Sequence, residues 1–180
     1  MAETEYMREP AWNTFAVGIG TNLGDRIGNL RFGIGRVAEI ADEFRVSSIY
    51  ETKPVHFQDQ PLFLNACCIG RTRLTARQLL SQLGDAERAA GRRRSETRFG
   101  PRPLDMDILL FGREPMNEPG LVIPHPRLRE RAFVLTPLAE IAPDWIVPGG
   151  GGTAAASVAS LATRVGAEGV RLFVSWSDLR

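Results

Sequence analysis

The chain has 180 residues and a formal net charge of +1, with 43% hydrophobic and 24% charged residues. That size suits one domain with a sizeable core, and a charge so near zero supplies no general attraction for nucleic acid or a membrane surface. No apolar run approaches the roughly 20 residues that a membrane helix needs, and the only two cysteines, Cys67 and Cys68, are adjacent. Neighbours on a strand point to opposite faces, so no disulfide or zinc site is expected of them.

Met1 to Asn13 is polar and lacks the apolar core of a signal peptide. It is expected to be a flexible tail before a single domain over 14–180, in a cytoplasmic protein. Phe15 to Gly20 is a short apolar run that predicts a strand, closed by the turn residues Asn22, Gly24 and Asp25. Apolar residues then recur at three and four from Ile27 to Ala41, a helix period. Phe44 to Thr52 predicts one strand, Lys53 to Pro61 a loop, and Leu62 to Thr72 a further strand. Thr75 to Gly91 predicts a second helix, with Thr75 as its N-cap and Gly91 as its stop. Arg92 to Arg102 is a basic loop, and Leu104 to Phe111 a third core strand. Short elements follow among prolines, then a glycine turn at Gly149 to Gly152 and a last helix from Ala154 to Val165. The order predicts an α+β, ferredoxin-like βαββαβ core: an antiparallel sheet with helices packed on one face, plus C-terminal additions.

The chemistry concentrates at Asp105 and Asp107. Two residues apart on a strand, both carboxylates share a face, while Leu104, Met106 and Ile108 face the core. Like charges held this close call for a cation, and magnesium is the hard ion that carboxylates and phosphates hold together. Directly before them, Gly91 to Arg102 carries five arginines, the residue suited to clamping phosphate oxygens. Acids and arginines side by side describe a triphosphate site.

The segment from Arg98 to Leu110, RFGPRPLDMDILL, resembles the signature of the 6-hydroxymethyl-7,8-dihydropterin pyrophosphokinase family. Gly18 to Asp25, Ser47 to Thr52, Gln58 to Ala66, Ile123 to Arg127 and Arg131 to Leu135 resemble further blocks of that family, in order. The similarity covers roughly residues 15–148, and collinear motifs are more specific than any one of them.

The resemblance implies transfer of a diphosphate group from ATP to 6-hydroxymethyl-7,8-dihydropterin, giving AMP, in folate synthesis. Asp105 and Asp107 would hold two magnesium ions that bridge the ATP phosphates. Arg92 and Arg102 would neutralise the transferring group. Glu87, Arg98, Ile108, His125 and Arg131 would belong to the nucleotide site. Phe63 and Phe133 would sandwich the pterin ring, Asn65 would read its edge, and Thr52 and Pro54 would contact it largely through backbone groups. The basic loop would close over both substrates. No activated nucleophile is present, so positioning, metals and arginines would carry the reaction. The implied partners are the two small-molecule substrates, with no nucleic acid and no membrane, and a monomer is expected with a dimer left open. The competing readings are a ferredoxin-like RNA-binding module, which would need aromatic and basic residues on the sheet face, and a small-molecule-binding module without catalysis.

Overall fold

The computed structural model describes residues 11–54, 59–92 and 100–179. The sheet is built on β1 (Asn13–Thr21), which pairs antiparallel with β4 (Phe63–Thr72) on one side and with β5 (Asp105–Phe111) on the other. Beyond β4 come β3 (Ile49–Thr52) and then β10 (Val170–Val174), giving the order β10-β3-β4-β1-β5. β2 (Asp42–Val46) also pairs with β4.

The predicted strand from Phe44 to Thr52 is interrupted. At Ser47 the hydroxyl oxygen accepts from the Cys67 N–H at 2.9 Å, so a side chain replaces a carbonyl in the ladder. Ser48 turns its N–H and hydroxyl to the Glu140 carboxylate, at 2.9 Å each. Glu140 lies far away in sequence, so local pattern gave no hint of the break.

Two helices cover one face. α1 (Arg26–Ala38) starts at Asp25, whose carboxylate accepts from the Gly28 N–H at 2.9 Å. It buries Leu30, Ile34 and Val37, and Gly33 brings it close enough to Leu104 that a Cβ there would lie 3.0 Å from the leucine methyl. α2 (Ala76–Ala89) has Thr75 at its N-cap, with Gln78 completing a capping box, and buries Leu79, Leu83 and Ala86. Gly91 follows with φ of +88°, the left-handed conformation that ends helices. Under these helices lie Phe15, Val17, Ile19, Leu64, Met106 and Ile108.

The chain after β5 adds two more helices on the other face of the sheet. β6 (Met116–Glu118) and β7 (Leu121–Ile123) form a hairpin after β5, and a short 3-10 turn, Leu128–Glu130, leads into α3 (Ala132–Ile141). β8 (Ile146–Val147) pairs with β9 (Ala156–Ser157) around the glycine turn, and α4 (Val158–Val165) follows. That helix begins at Ser157, whose hydroxyl caps it, and not at Ala154 as the composition predicts. Leu135, Leu138 and Leu161 pack on Ala16, Cys67 and Leu109, which need apolar cover because they point away from α1 and α2. Cys67 and Cys68 are free and buried in opposite layers, as their adjacency requires.

This second layer covers only part of its face. The same strand positions continue past it as Gly18 and Gly20 on β1, Asn65 on β4, and Asp105 and Asp107 on β5, and these line an open cavity. No helix among the described residues is long and apolar enough to cross a membrane.

Candidate active site

The cavity has a volume of about 350 Å³. Its floor is β1, where FAVGIG puts Phe15, Val17 and Ile19 into the core and leaves Gly18 and Gly20 towards the cavity. Without Cβ atoms there, the walls stand clear of the sheet.

Each acid of β5 meets its own pair of basic side chains. Asp105 Oδ1 lies 2.8 Å from Arg92 Nη1, and Oδ2 lies 3.1 Å from Arg102 Nη2. Asp107 Oδ2 lies 3.5 Å from Arg131 Nη1 and 3.7 Å from His125 Nε2. Arg92 also pairs with Glu87, whose carboxylate accepts from the Met106 N–H at 2.7 Å, directly between the two acids. Burial raises the Asp105 pKa, and the Asp107 charge raises it further, against the pull of Arg102 and Arg92. Burial likewise raises Glu87 and lowers His125 and Arg131. His125 Nδ1 accepts from the Arg127 N–H at 3.1 Å, so in the neutral ring the proton sits on Nε2, the atom nearest Asp107.

Among the described residues no group of three or more His, Cys, Asp or Glu could hold a metal ion. Asp105 and Asp107 supply two hard oxygen ligands that repel each other and face open space. That donor set fits magnesium, whose remaining ligands would come from water and phosphate.

At the other end, Phe63 and Phe133 each lie against an arginine of the cluster: Arg102 is 5.7 Å from the Phe63 ring centre and Arg131 5.5 Å from that of Phe133. Asn65 donates its amide to Thr52 Oγ1 at 2.8 Å, which joins β4 to β3 beneath the rim.

The structure therefore gathers Thr52, Pro54, Phe63, Asn65, Phe133, Arg102, Asp105, Asp107 and Arg131 around one cavity. Arg92, Glu87 and His125 stand behind the acids, held to them by the contacts above. Ile108, expected from the resemblance at the nucleotide site, has its side chain buried in the core because it alternates with the acids. Arg98, and His56 in the loop before β4, lie outside the described residues.

Three features of the site escaped the sequence. Asn22, 1% exposed, donates to Gln60 Oε1 at 3.0 Å and to the Pro61 carbonyl at 3.2 Å. The alternation of glycine with large residues in β1 was a readable sign of an open floor. Glu168, Gly169 and Val170 add a wall from the C-terminal strand.

One cavity thus couples an acid–arginine cluster to two aromatic rings, those of Phe63 and Phe133. Comparison gives the family: the model of 7,8-dihydro-6-hydroxymethylpterin-pyrophosphokinase (HPPK) matches residues 16–143, and the chain belongs to this family of diphosphotransferases. It is 45% identical over 131 residues to the 2-amino-4-hydroxy-6-hydroxymethyldihydropteridine pyrophosphokinase of Bacillus subtilis, covering 72% of this chain and 78% of that one. It is 41% identical over 126 residues to a folate synthesis bifunctional protein of Arabidopsis thaliana, covering 69% of this chain and 26% of that protein. The chain thus spans about a quarter of the length of such bifunctional relatives. Its fold is similar to the crystal structure of wild-type Plasmodium falciparum HPPK-DHPS with STZ-DHP, at a TM-score of 0.66 and 13% identity, over 87% of this chain and 44% of that one.

Proposed function

We propose that this chain transfers the diphosphate of ATP to 6-hydroxymethyl-7,8-dihydropterin, releasing AMP, as a step of folate synthesis. The observation that carries this reading is the single cavity that holds both the Phe63–Phe133 pair and the acids of β5. A flat ring stacks between aromatic faces, and its hydroxymethyl group then extends towards Asp105 and Asp107. The strand order, with β2 and β3 both beside β4 and β1 between β4 and β5, supports a ferredoxin-like core.

The alcohol oxygen attacks the β-phosphorus in line and gives up its proton to solvent, the bond from that phosphorus to the oxygen shared with the α-phosphorus breaks, and AMP departs with that oxygen. Asp105 and Asp107 would hold the two magnesium ions, which would supply charge neutralisation for the phosphates. Arg92 and Arg102 lie against Asp105, close enough to turn to the transferring group. His125 and Arg131 do the same on the Asp107 side. Asn65 and Thr52 set the ring in its slot, so that orientation supplies much of the rate.

The test is AMP release with ATP, magnesium and the pterin, each omitted in turn. AMP is expected only with all three, and Asp105→Ala or Asp107→Ala should abolish it while the folded spectrum is unchanged. ADP as product, or full activity in either variant, would overturn the reading.

A further inference from the structure

We propose that Glu168, on the segment leading into β10, is a substrate-binding residue that recognises the amino-substituted edge of the pterin; this rests on the pterin reading above. The acids lie on β5, Phe63 and Asn65 on β4, Thr52 on β3, and β10 is one strand further out. Strands are spaced about 4.8 Å apart, so β3 lies roughly 14 Å across the sheet from β5.

A pterin has its hydroxymethyl group at one end and its aminopyrimidine at the other. With the hydroxymethyl group towards Asp105 and Asp107, the aminopyrimidine points towards β3 and β10. That edge carries an amino N–H beside a ring N–H, two parallel donors that match the two oxygens of a carboxylate.

Glu168 meets the requirement. It lines the same cavity as Thr52, Pro54 and Phe63. Val170 is the register partner of Thr52, and Glu168 stands in the turn before it, closed by the Val170 N–H donating to the Ala167 carbonyl at 3.0 Å, which sets it at this rim. Its side chain is exposed and has no hydrogen-bond or ion-pair partner among the described residues. By contrast the acids at the far end, Asp105 and Asp107, are each committed to arginines. The wall is anchored from behind, since Arg171 pairs with Glu51 on the side of β3 away from the cavity.

The experiment compares wild type, Glu168→Gln and Glu168→Ala, with ATP saturating, on 6-hydroxymethyl-7,8-dihydropterin and on an analogue that lacks the 2-amino group. Loss of one charged hydrogen-bonding partner at an exposed rim should raise KM for the pterin roughly tenfold. The kcat and the KM for ATP should be unchanged, and all three proteins should treat the analogue alike. An unchanged pterin KM in Glu168→Ala, or an equal rise for pterin and analogue, would overturn the role of Glu168 and leave the diphosphotransfer reading intact. A wild type that neither binds nor turns over the pterin would overturn both.

Discussion

Asn22 and Arg102 are joined twice through polar groups: the Arg102 N–H donates to Asn22 Oδ1 at 2.9 Å, and the Asn22 N–H donates to the Arg102 carbonyl at 3.2 Å. The remaining Asn22 donors reach Gln60 and Pro61. One buried amide thus locks the segment that delivers Arg102 to Asp105 onto the segment that delivers Phe63 to the slot. Asn22→Ala should cost about 1–3 kcal/mol of stability, since it strands buried partners. It should also lower kcat/KM for both substrates, because both walls move. Asn22→Asp keeps the acceptor for Arg102 and loses the donors, so it should impair the pterin KM more than kcat. Thermal unfolding and steady-state kinetics of the two variants check this.

Arg92 links Glu87 to Asp105. Both carboxylates already have raised pKa values, chiefly through burial. Arg92→Ala removes a cation aimed at developing phosphate charge and should lower kcat by about 10²–10³-fold. Pterin affinity should change little, since Arg92 touches no wall of the slot. Single-turnover rates beside equilibrium pterin binding separate the two effects. A variant that loses only pterin affinity would refute this placement of Arg92.

Much of this site was legible because it obeys local periods. The alternation of Asp105, Met106, Asp107 and Ile108 sends acids to one face and apolar residues to the other, and the structure repeats that pattern. Thr75 and Gly91 bound α2 as their chemistry predicts. What the sequence hid depends on distant partners. The break at Ser47 exists because Cys67 and Glu140 satisfy its neighbourhood. β10 is a short edge strand with Leu172 and Phe173 largely exposed, so it lacks the in–out alternation that marks a strand. Its place in the cavity wall comes from pairing with β3, more than 100 residues earlier. The roles of Arg102 and Phe63 required a resemblance, since a lone arginine or phenylalanine does not announce what it faces.

Gly20 tests the floor. A Cβ there would lie 2.9 Å from Asn65 Oδ1, closer than such atoms approach. Gly20→Ala should therefore displace the Asn65 amide from Thr52 and narrow the slot. The expected outcome is a pterin KM raised at least about tenfold, the scale of one well-made hydrogen bond to a positioned amide, with ATP affinity retained. Gly18→Ala meets only the flexible Leu109 side chain at 3.3 Å and should be milder. Pterin titration of the two variants, by fluorescence, gives the comparison.

Glu51 gives the fold a dependence on acid. It is 8% exposed and paired with Arg171 and, at 3.1 Å, with Arg26. Arg26 also donates to the Leu62 carbonyl at 2.9 Å, one residue before Phe63, so the cluster holds β10, α1 and the start of β4 together. The hydrogen bond from Arg171, aided by Arg26, lowers the Glu51 pKa below its ordinary 4.5 against the effect of burial. A carboxylate depressed on folding stabilises fully above its unfolded pKa, and that stability is lost as pH falls through the folded value. The stability difference between wild type and Glu51→Gln should therefore be constant above about pH 5 and shrink as the pH falls below it. Denaturant unfolding of both proteins from pH 7 to pH 3 measures it, with these limits set by the ordinary carboxylate range. A difference that stays constant to the acid end would mean that Glu51 is held by packing and not by its two arginines.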